Sequence, residues 1–260
     1  MQMKTSKFVL VALCAVSMGA VAAEPATTLK LMTYNIRNGW GKAGDRWNIW
    51  KPIEVIQRAK PDICAMQEVS WGGKAENFQI DVPTIMGHIL APMWRTARGC
   101  AVKNADGSEY GNAILFTEKE LSQVTIPLPG EKAPRALLAV EFPDYWIATM
   151  HMSTTKSCRL KSVPIILDWV KKQTKPVILT GDWNCNPKSQ ELAELRKGLK
   201  ILSDETVFTC PTVKSDETID YVAVDLAHAD KVKVELRSVL TNEIEGSDHF
   251  PILMTLKIAK

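Results

Sequence analysis

Val177-Ile178-Leu179-Thr180-Gly181-Asp182-Trp183-Asn184 runs from an apolar strand-like tetrapeptide into a glycine, then an acid and an amide two positions apart. A short apolar run that is β-branched at its start and closed by glycine reads as a buried strand ending in a sharp turn. Residues two apart on extended backbone point to the same side, so Asp182 and Asn184 are delivered together just past the strand. Acid plus amide suits activation of a water and a hydrogen bond to a phosphate oxygen. The same letters alone also describe a turn with an Asx cap. The rest of the chain decides between these.

Outward from that segment the design repeats. Leu29–Asn35, Ile63–Glu68 and Trp146–His151 are apolar runs that end in an amide, an acid and an imidazole. Ile219-Asp220-Tyr221 sets a carboxylate in an apolar strand, where it needs a partner. An imidazole is the natural one, because a carboxylate holds its tautomer; backbone donors are the other solution. Ser247-Asp248-His249-Phe250-Pro251 places an acid beside an imidazole before the apolar run Ile252–Ile258. Asn35, Glu68, His151, Asp182, Asn184, Asp220, Asp248 and His249 thus point to a centre assembled from several strand ends, with hard oxygen ligands for a divalent cation. His88 and His228 lack such a setting and read as structural or surface residues.

Between these runs, Trp47–Ala59, Lys161–Lys172 and Ser189–Lys197 carry helical character, and the first ends before Pro61. Further strands are expected at Ala113–Phe116, Ala136–Phe142, Val232–Leu240 and Ile252–Ile258. Strands and helices alternate early and strands dominate later, which predicts an α/β domain of mixed sheets covered by helices. No repeat or polar linker divides the chain, so residues 24–260 read as one domain. Residues 1–23 have the layout of a secretory signal peptide: Lys4 and Lys7, an apolar run from Phe8 to Val21, and a small-residue site at Val21-Ala22-Ala23. The whole chain has 32 Lys and Arg against 29 Asp and Glu. Two of the lysines lie in that leader, so the remainder is close to neutral and exerts no bulk pull on nucleic acid or membrane. No second apolar stretch reaches membrane-spanning length. Export permits disulfides; Cys64 reads as a buried free thiol, while Cys185–Cys210 and Cys100–Cys158 are the favoured pairs.

The ordered set Thr33-Tyr34-Asn35-Ile36-Arg37, Gln67-Glu68, Tyr110-Gly111-Asn112-Ala113-Ile114-Leu115, His151, Gly181-Asp182-Trp183-Asn184, Ile219-Asp220-Tyr221 and Ser247-Asp248-His249 resembles the endonuclease/exonuclease/phosphatase superfamily. The resemblance spans nearly all of the chain beyond the leader. It implies a DNase I-like four-layer α/β/β/α sandwich of two mixed β-sheets with the site at one edge. It also implies that Glu68 is the principal Mg²⁺ ligand (Mn²⁺ or Ca²⁺ being alternatives), with Asn35 and Asp248 near the metal or a second one. Asp182 would orient or deprotonate the attacking water and Asn184 would hold a phosphate oxygen. His249, steered by Asp220, and His151 would stabilise the transition state or pass protons, and which one is the acid stays open. Arg135, Tyr110 and Asn112 fall on the substrate side.

The superfamily does not fix the substrate. Arg135 opens its strand as the phosphate-contacting arginine does in the nucleases of this superfamily. Arg95, Arg98, Arg135, Lys156, Arg159 and Lys161 form either a phosphate-binding track or a solvated face. These features favour an exported, metal-dependent endonuclease acting on DNA rather than RNA, periplasmic or secreted, either alone or as a toxin or effector subunit. A phosphatase or a sphingomyelinase-like phosphodiesterase is the alternative, and a non-catalytic binding module is a third. His151 is followed by Met152-Ser153-Thr154, unlike the continuation in the nucleases or sphingomyelinases.

Overall fold

The computed structural model describes residues 25–41, 46–72, 81–90, 94–212 and 216–260; the expected leader lies outside them. In chain order the elements are β1 (Ala26–Asn35), α1 (Trp50–Ala59), β2 (Ile63–Trp71), α2 (Val82–Leu90), β3 (Arg95–Lys103), β4 (Glu109–Phe116), β5 (Ser122–Leu128), β6 (Arg135–Glu141), β7 (Trp146–His151), α3 (Lys156–Lys171), β8 (Val177–Asp182), α4 (Gln190–Leu195), β9 (Leu199–Ile201), β10 (Asp220–Asp225), β11 (Val232–Val239) and β12 (Ile252–Ala259). They build two six-stranded sheets, ordered β11-β12-β1-β2-β4-β3 and β5-β6-β7-β8-β10-β9. Both are mixed: β1–β2 and β7–β8 are parallel pairs and the other pairings are antiparallel.

The period-2 alternation of each strand sorts its side chains between two faces. Leu29 and Leu31 of β1, Ile63 and Ala65 of β2, Ile147 of β7, Ile178 of β8 and Val222 and Val224 of β10 fill the space between the sheets. Their neighbours face helices instead: Met32, Tyr34, Cys64 and Met66 pack in one outer core with Ile53 and Ile56 of α1. Ala148, Met150, Val177, Leu179 and Tyr221 pack in the other with Val163 and Ile166 of α3. Three apolar layers inside four layers of structure give the α/β/β/α sandwich that the sequence implies. Each fully buried aliphatic side chain contributes about 1.5–3 kcal/mol relative to exposure.

Helix α1 closes at Lys60, whose left-handed backbone (φ 49°) precedes Pro61. Helix α3 begins five residues earlier than its apolar spacing suggests. The charged edge strand β3 and the Pro-containing edge strand β5 carry weak sequence signals, as edge strands do. The favoured disulfides are not formed; all five cysteines among the described residues are free thiols. Cys100 lies on β3 in one sheet and Cys158 on α3 outside the other, so whole layers separate them. Cys185 is buried in the helix-facing core, whereas the Cys210 thiol lies against His249. Cys64 is buried and unpaired, as expected. No helix among the described residues is long and apolar enough to cross a membrane.

Candidate active site

The alternation that builds the core also builds the site. Extending each inward-facing series by one or two steps beyond its apolar residues reaches Thr33 and Asn35 on β1, Gln67 on β2, Thr149 and His151 on β7, Thr180 and Asp182 on β8, and Asp220 on β10. Strands β1, β7 and β8 end, β10 begins and β2 passes its irregularity at the same edge of the two packed sheets, so these polar groups converge there.

Glu68 arrives by a different route. By parity it should face the helices with Cys64 and Met66. The register between β2 and β4 shifts between Met66 and Val69, and Glu68 takes a left-handed backbone, φ 56°. This bulge turns the carboxylate inward, and Val69 resumes the helix-facing series. Asn184 (φ 50°) is likewise held in an unusual conformation just beyond β8. Gly181 is required where it stands: its φ is 126°, and a Cβ there would collide with the Met150 carbonyl of β7.

Asp182 is the hub. Its Oδ2 accepts from the Asn35 amide at 3.1 Å and lies 3.4 Å from His151 Nε2 and 3.8 Å from His249 Nε2. Its Oδ1 accepts from the Asn184 backbone N–H at 2.9 Å. The same Asn35 amide donates to Glu68 Oε1 at 3.0 Å, coupling the two carboxylates. His249 Nδ1 donates to Asp220 Oδ2 at 2.9 Å, and Thr209 Oγ1 accepts the Asp220 backbone N–H. The guanidinium of Arg135 can only donate, so its Nη1 contact to His151 Nδ1 at 3.3 Å assigns that nitrogen as acceptor and puts the His151 proton on Nε2, facing Asp182. Tyr110 stands beside Glu68; burial and then the Glu68 charge raise its phenol pKa.

These surroundings separate the two imidazoles. Burial pushes His151 down to about 4, with Arg135 and His249 adding to that and Asp182 only partly opposing it, so it is neutral near pH 7. Burial also works against a charged His249, but the charge and hydrogen bond of Asp220 outweigh it and hold the pKa well above 6.5. Asp182 is raised by burial against the pull of both imidazoles.

Asp248, Asn112 and the cations each have partners of their own. Asp248 is held by Arg37 at 3.4 Å and by the Ser247 hydroxyl, outside the cluster around Asp182. Asn112 is buried and donates to the Ala136 carbonyl of β6 at 2.8 Å, which makes it a tie between sheets. The six cations do not form one track: Arg95 pairs with Glu120 and Arg98 with Asp81 on the opposite sheet's edge strand, while Arg159 pairs with buried Glu191. Not foreseen from the sequence was a polar strut beneath the site. Gln67 Nε2 donates to Thr149 Oγ1 at 2.7 Å and Thr33 Oγ1 at 3.1 Å, joining the two sheets. An amide and two hydroxyls inside otherwise apolar strands were its only sequence signal.

Glu68, His151 and Asp182 bring ligand atoms within 4.8 Å of one another. Asp182, Asp220 and His249 do so too, but Asp220 and His249 are already bonded to each other. The first group, with the carboxylates of half-buried Glu68 and of Asp182, has the oxygen ligands that suit a hard divalent cation, and the Asn35 Nδ2 braces both while its Oδ1 accepts from the Arg37 backbone N–H.

The sequence profile of the endonuclease/exonuclease/phosphatase family matches residues 32–249, a span that holds every residue of this cluster. The chain belongs to that family. Members of the endonuclease/exonuclease/phosphatase family act on phosphoesters with a divalent metal, which agrees with the clustered carboxylates and imidazoles. No curated protein sequence matches the chain. Among solved structures it is similar to an endonuclease/exonuclease/phosphatase from Beutenbergia cavernae (TM-score 0.75, 23% identity, 89% of this chain and 72% of that one). It is also similar to a mannosyl-6-phosphatase from Bacteroides thetaiotaomicron (0.67, 21%, 88% and 99%). The human Nocturnin catalytic domain with bound sulfate is a third (0.65, 15%, 91% and 97%). At these identities the likeness establishes the DNase I-like fold.

Proposed function

We propose that the protein is an exported hydrolase that cleaves a phosphate ester by in-line attack of water. The observation that carries this reading is the position of Asp182, which is bonded to Asn35 and Asn184 and faced by one neutral and one cationic imidazole. Glu68, with Asp182 alongside and Asn35 bracing both carboxylates, would hold the divalent cation, which when bound supplies positive charge against the phosphate oxygens.

The chain's own groups divide the remaining work. A carboxylate of raised pKa is suited to take a proton from the attacking water, and Asp182 is that group. The Asn184 amide donates to the Met152 carbonyl at 3.0 Å, which leaves its second N–H to hold a phosphate oxygen. Cationic His249, backed by Asp220, offers charge and a proton to the developing oxyanion or leaving oxygen. Neutral His151 serves as an Nε2–H donor that Arg135 holds in place.

Arg95, Arg98 and Arg159 are already paired with carboxylates, which favours a single phosphate group over an extended polyanion, so a phosphomonoester or short diester is the preferred substrate. Endonucleolytic cleavage of DNA is the second reading, favoured by Arg135 at the start of β6 beside His151. Phosphate release from small monoesters and nicking of supercoiled plasmid, each with Mg²⁺ and with Mn²⁺, test the two together. Nicking without monoester hydrolysis would reverse their order, and neither activity would remove both.

A further inference from the structure

A groove leaves the site on the Asn184 side. It consists of two adjoining hollows, of about 330 Å³ and about 390 Å³, which share Asn186 and Glu217 as lining residues. The first hollow is polar, bordered by Thr154, Asn184, Ser189 and Glu217; the second reaches Phe208. Asn184 lines the first hollow and donates its backbone N–H to Asp182, so this hollow borders the site. Thr154 comes from the Met152-Ser153-Thr154 segment that follows His151.

The charge of the groove decides what fits it. Arg159 lines the first hollow, but its guanidinium is committed to Glu191 and to the carbonyls of Ser153 and Thr154. Glu217, Asp216 and Glu205 bring three carboxylates to the walls; Glu205 is paired with Arg196, and Lys188 is the one lysine among the described lining residues. A second phosphate, as in any nucleic-acid strand, would meet net negative charge. Neutral hydroxyl groups would meet amide, hydroxyl and carboxylate partners able to donate or accept. At the far end Phe208 is 47% exposed, leaving a flat aromatic face on which the apolar side of a sugar ring can lie.

We infer that this groove binds the uncharged, hydroxyl-rich part of the substrate, so that the ester hydrolysed is a phosphorylated carbohydrate, with Glu217 and Phe208 setting that specificity. The inference rests on the phosphoesterase reading and names its substrate class.

The test compares the full chain with its Phe208→Ala and Glu217→Ala variants, both changes being on exposed side chains. The substrates are trehalose 6-phosphate, p-nitrophenyl phosphate and a short single-stranded oligodeoxynucleotide, each with Mg²⁺. The expected result is hydrolysis of trehalose 6-phosphate, with its kcat/KM relative to that of p-nitrophenyl phosphate falling roughly tenfold in each variant. An unchanged ratio in both variants overturns the groove assignment while leaving phosphoester hydrolysis standing. So does oligonucleotide cleavage that is the activity lost in the Phe208→Ala protein. Turnover of none of the three by the wild-type chain overturns the phosphoesterase reading and the groove assignment with it.

Discussion

Asp220 accepts the Nδ1–H of His249 at 2.9 Å, and both side chains are buried at the sheet edge. This pairing keeps His249 protonated despite its burial, so its proton is lost only as pH rises well past 6.5. Asp220→Asn removes the charge that sustains the imidazolium, and the His249 pKa falls. We expect kcat to drop by roughly 10²–10³-fold and the alkaline limb of the pH–rate profile to move to lower pH. A profile superimposable on wild type would refute the pairing's role.

Glu68 holds a left-handed backbone that a non-glycine residue adopts only at a cost. Both Glu68→Ala and Glu68→Gly should abolish metal-dependent turnover. The glycine variant should be more stable than the alanine variant by about 1 kcal/mol, because only glycine takes this conformation without strain. Denaturant melts of the two proteins, alongside Mn²⁺ binding by calorimetry, check both statements.

His151 has the opposite electrostatic sign to His249. Its folded pKa of about 4 lies below the unfolded value of 6.5, so the unfolded chain takes up the proton first as pH falls. Its contribution to stability is therefore present above pH 6.5 and declines down to about pH 4, by an amount on the order of a few kcal/mol. In metal-free protein, His151→Gln should lose less stability than wild type across that window. Parallel melts at several pH values decide it.

Gly181→Ala combines a forbidden φ with a collision against the Met150 carbonyl. The strands β7 and β8 must separate to admit it. The expected loss is more than about 3 kcal/mol of stability, or failure to accumulate as soluble protein. A soluble variant with a wild-type melting curve would show that β8 can shift without penalty.

Chelation gives the last expectation. Ethylenediaminetetraacetate should remove activity, and Mg²⁺ or Mn²⁺ should restore it, with a rise in Tm on re-addition because the ion binds the folded state. Activity that survives exhaustive chelation would exclude Glu68 as a metal ligand of consequence.

Much of the site was legible because one rule governs core and chemistry alike. Strand alternation places Asn35, His151, Asp182 and Asp220 on the inter-sheet face, and their apolar neighbours announce the strands. Glu68 breaks that alternation, and only the bulge seen in three dimensions explains how it reaches the others. The ion pairs of Asp248, Arg95, Arg98 and Arg159 were not legible for a single reason: proximity in sequence says nothing of which opposite charge lies across a layer. Arg37, Asp81, Glu120 and Glu191 supplied those partners. The disulfide pairs failed in the same way, since layer membership rather than spacing separates Cys100 from Cys158.

Gln67 has a consequence beyond satisfying its neighbours. Two sheets pressed together by aliphatic side chains are held by a force without direction, which tolerates sliding. The Gln67 amide, bonded at once to Thr33 and Thr149, works as a dowel through that contact. It fixes the alignment of one sheet on the other directly beneath Asn35 and Asp182, residues whose 3.1 Å contact spans the seam. Catalytic alignment in this protein is thus a matter of registration between two slabs, set one layer below where the chemistry takes place.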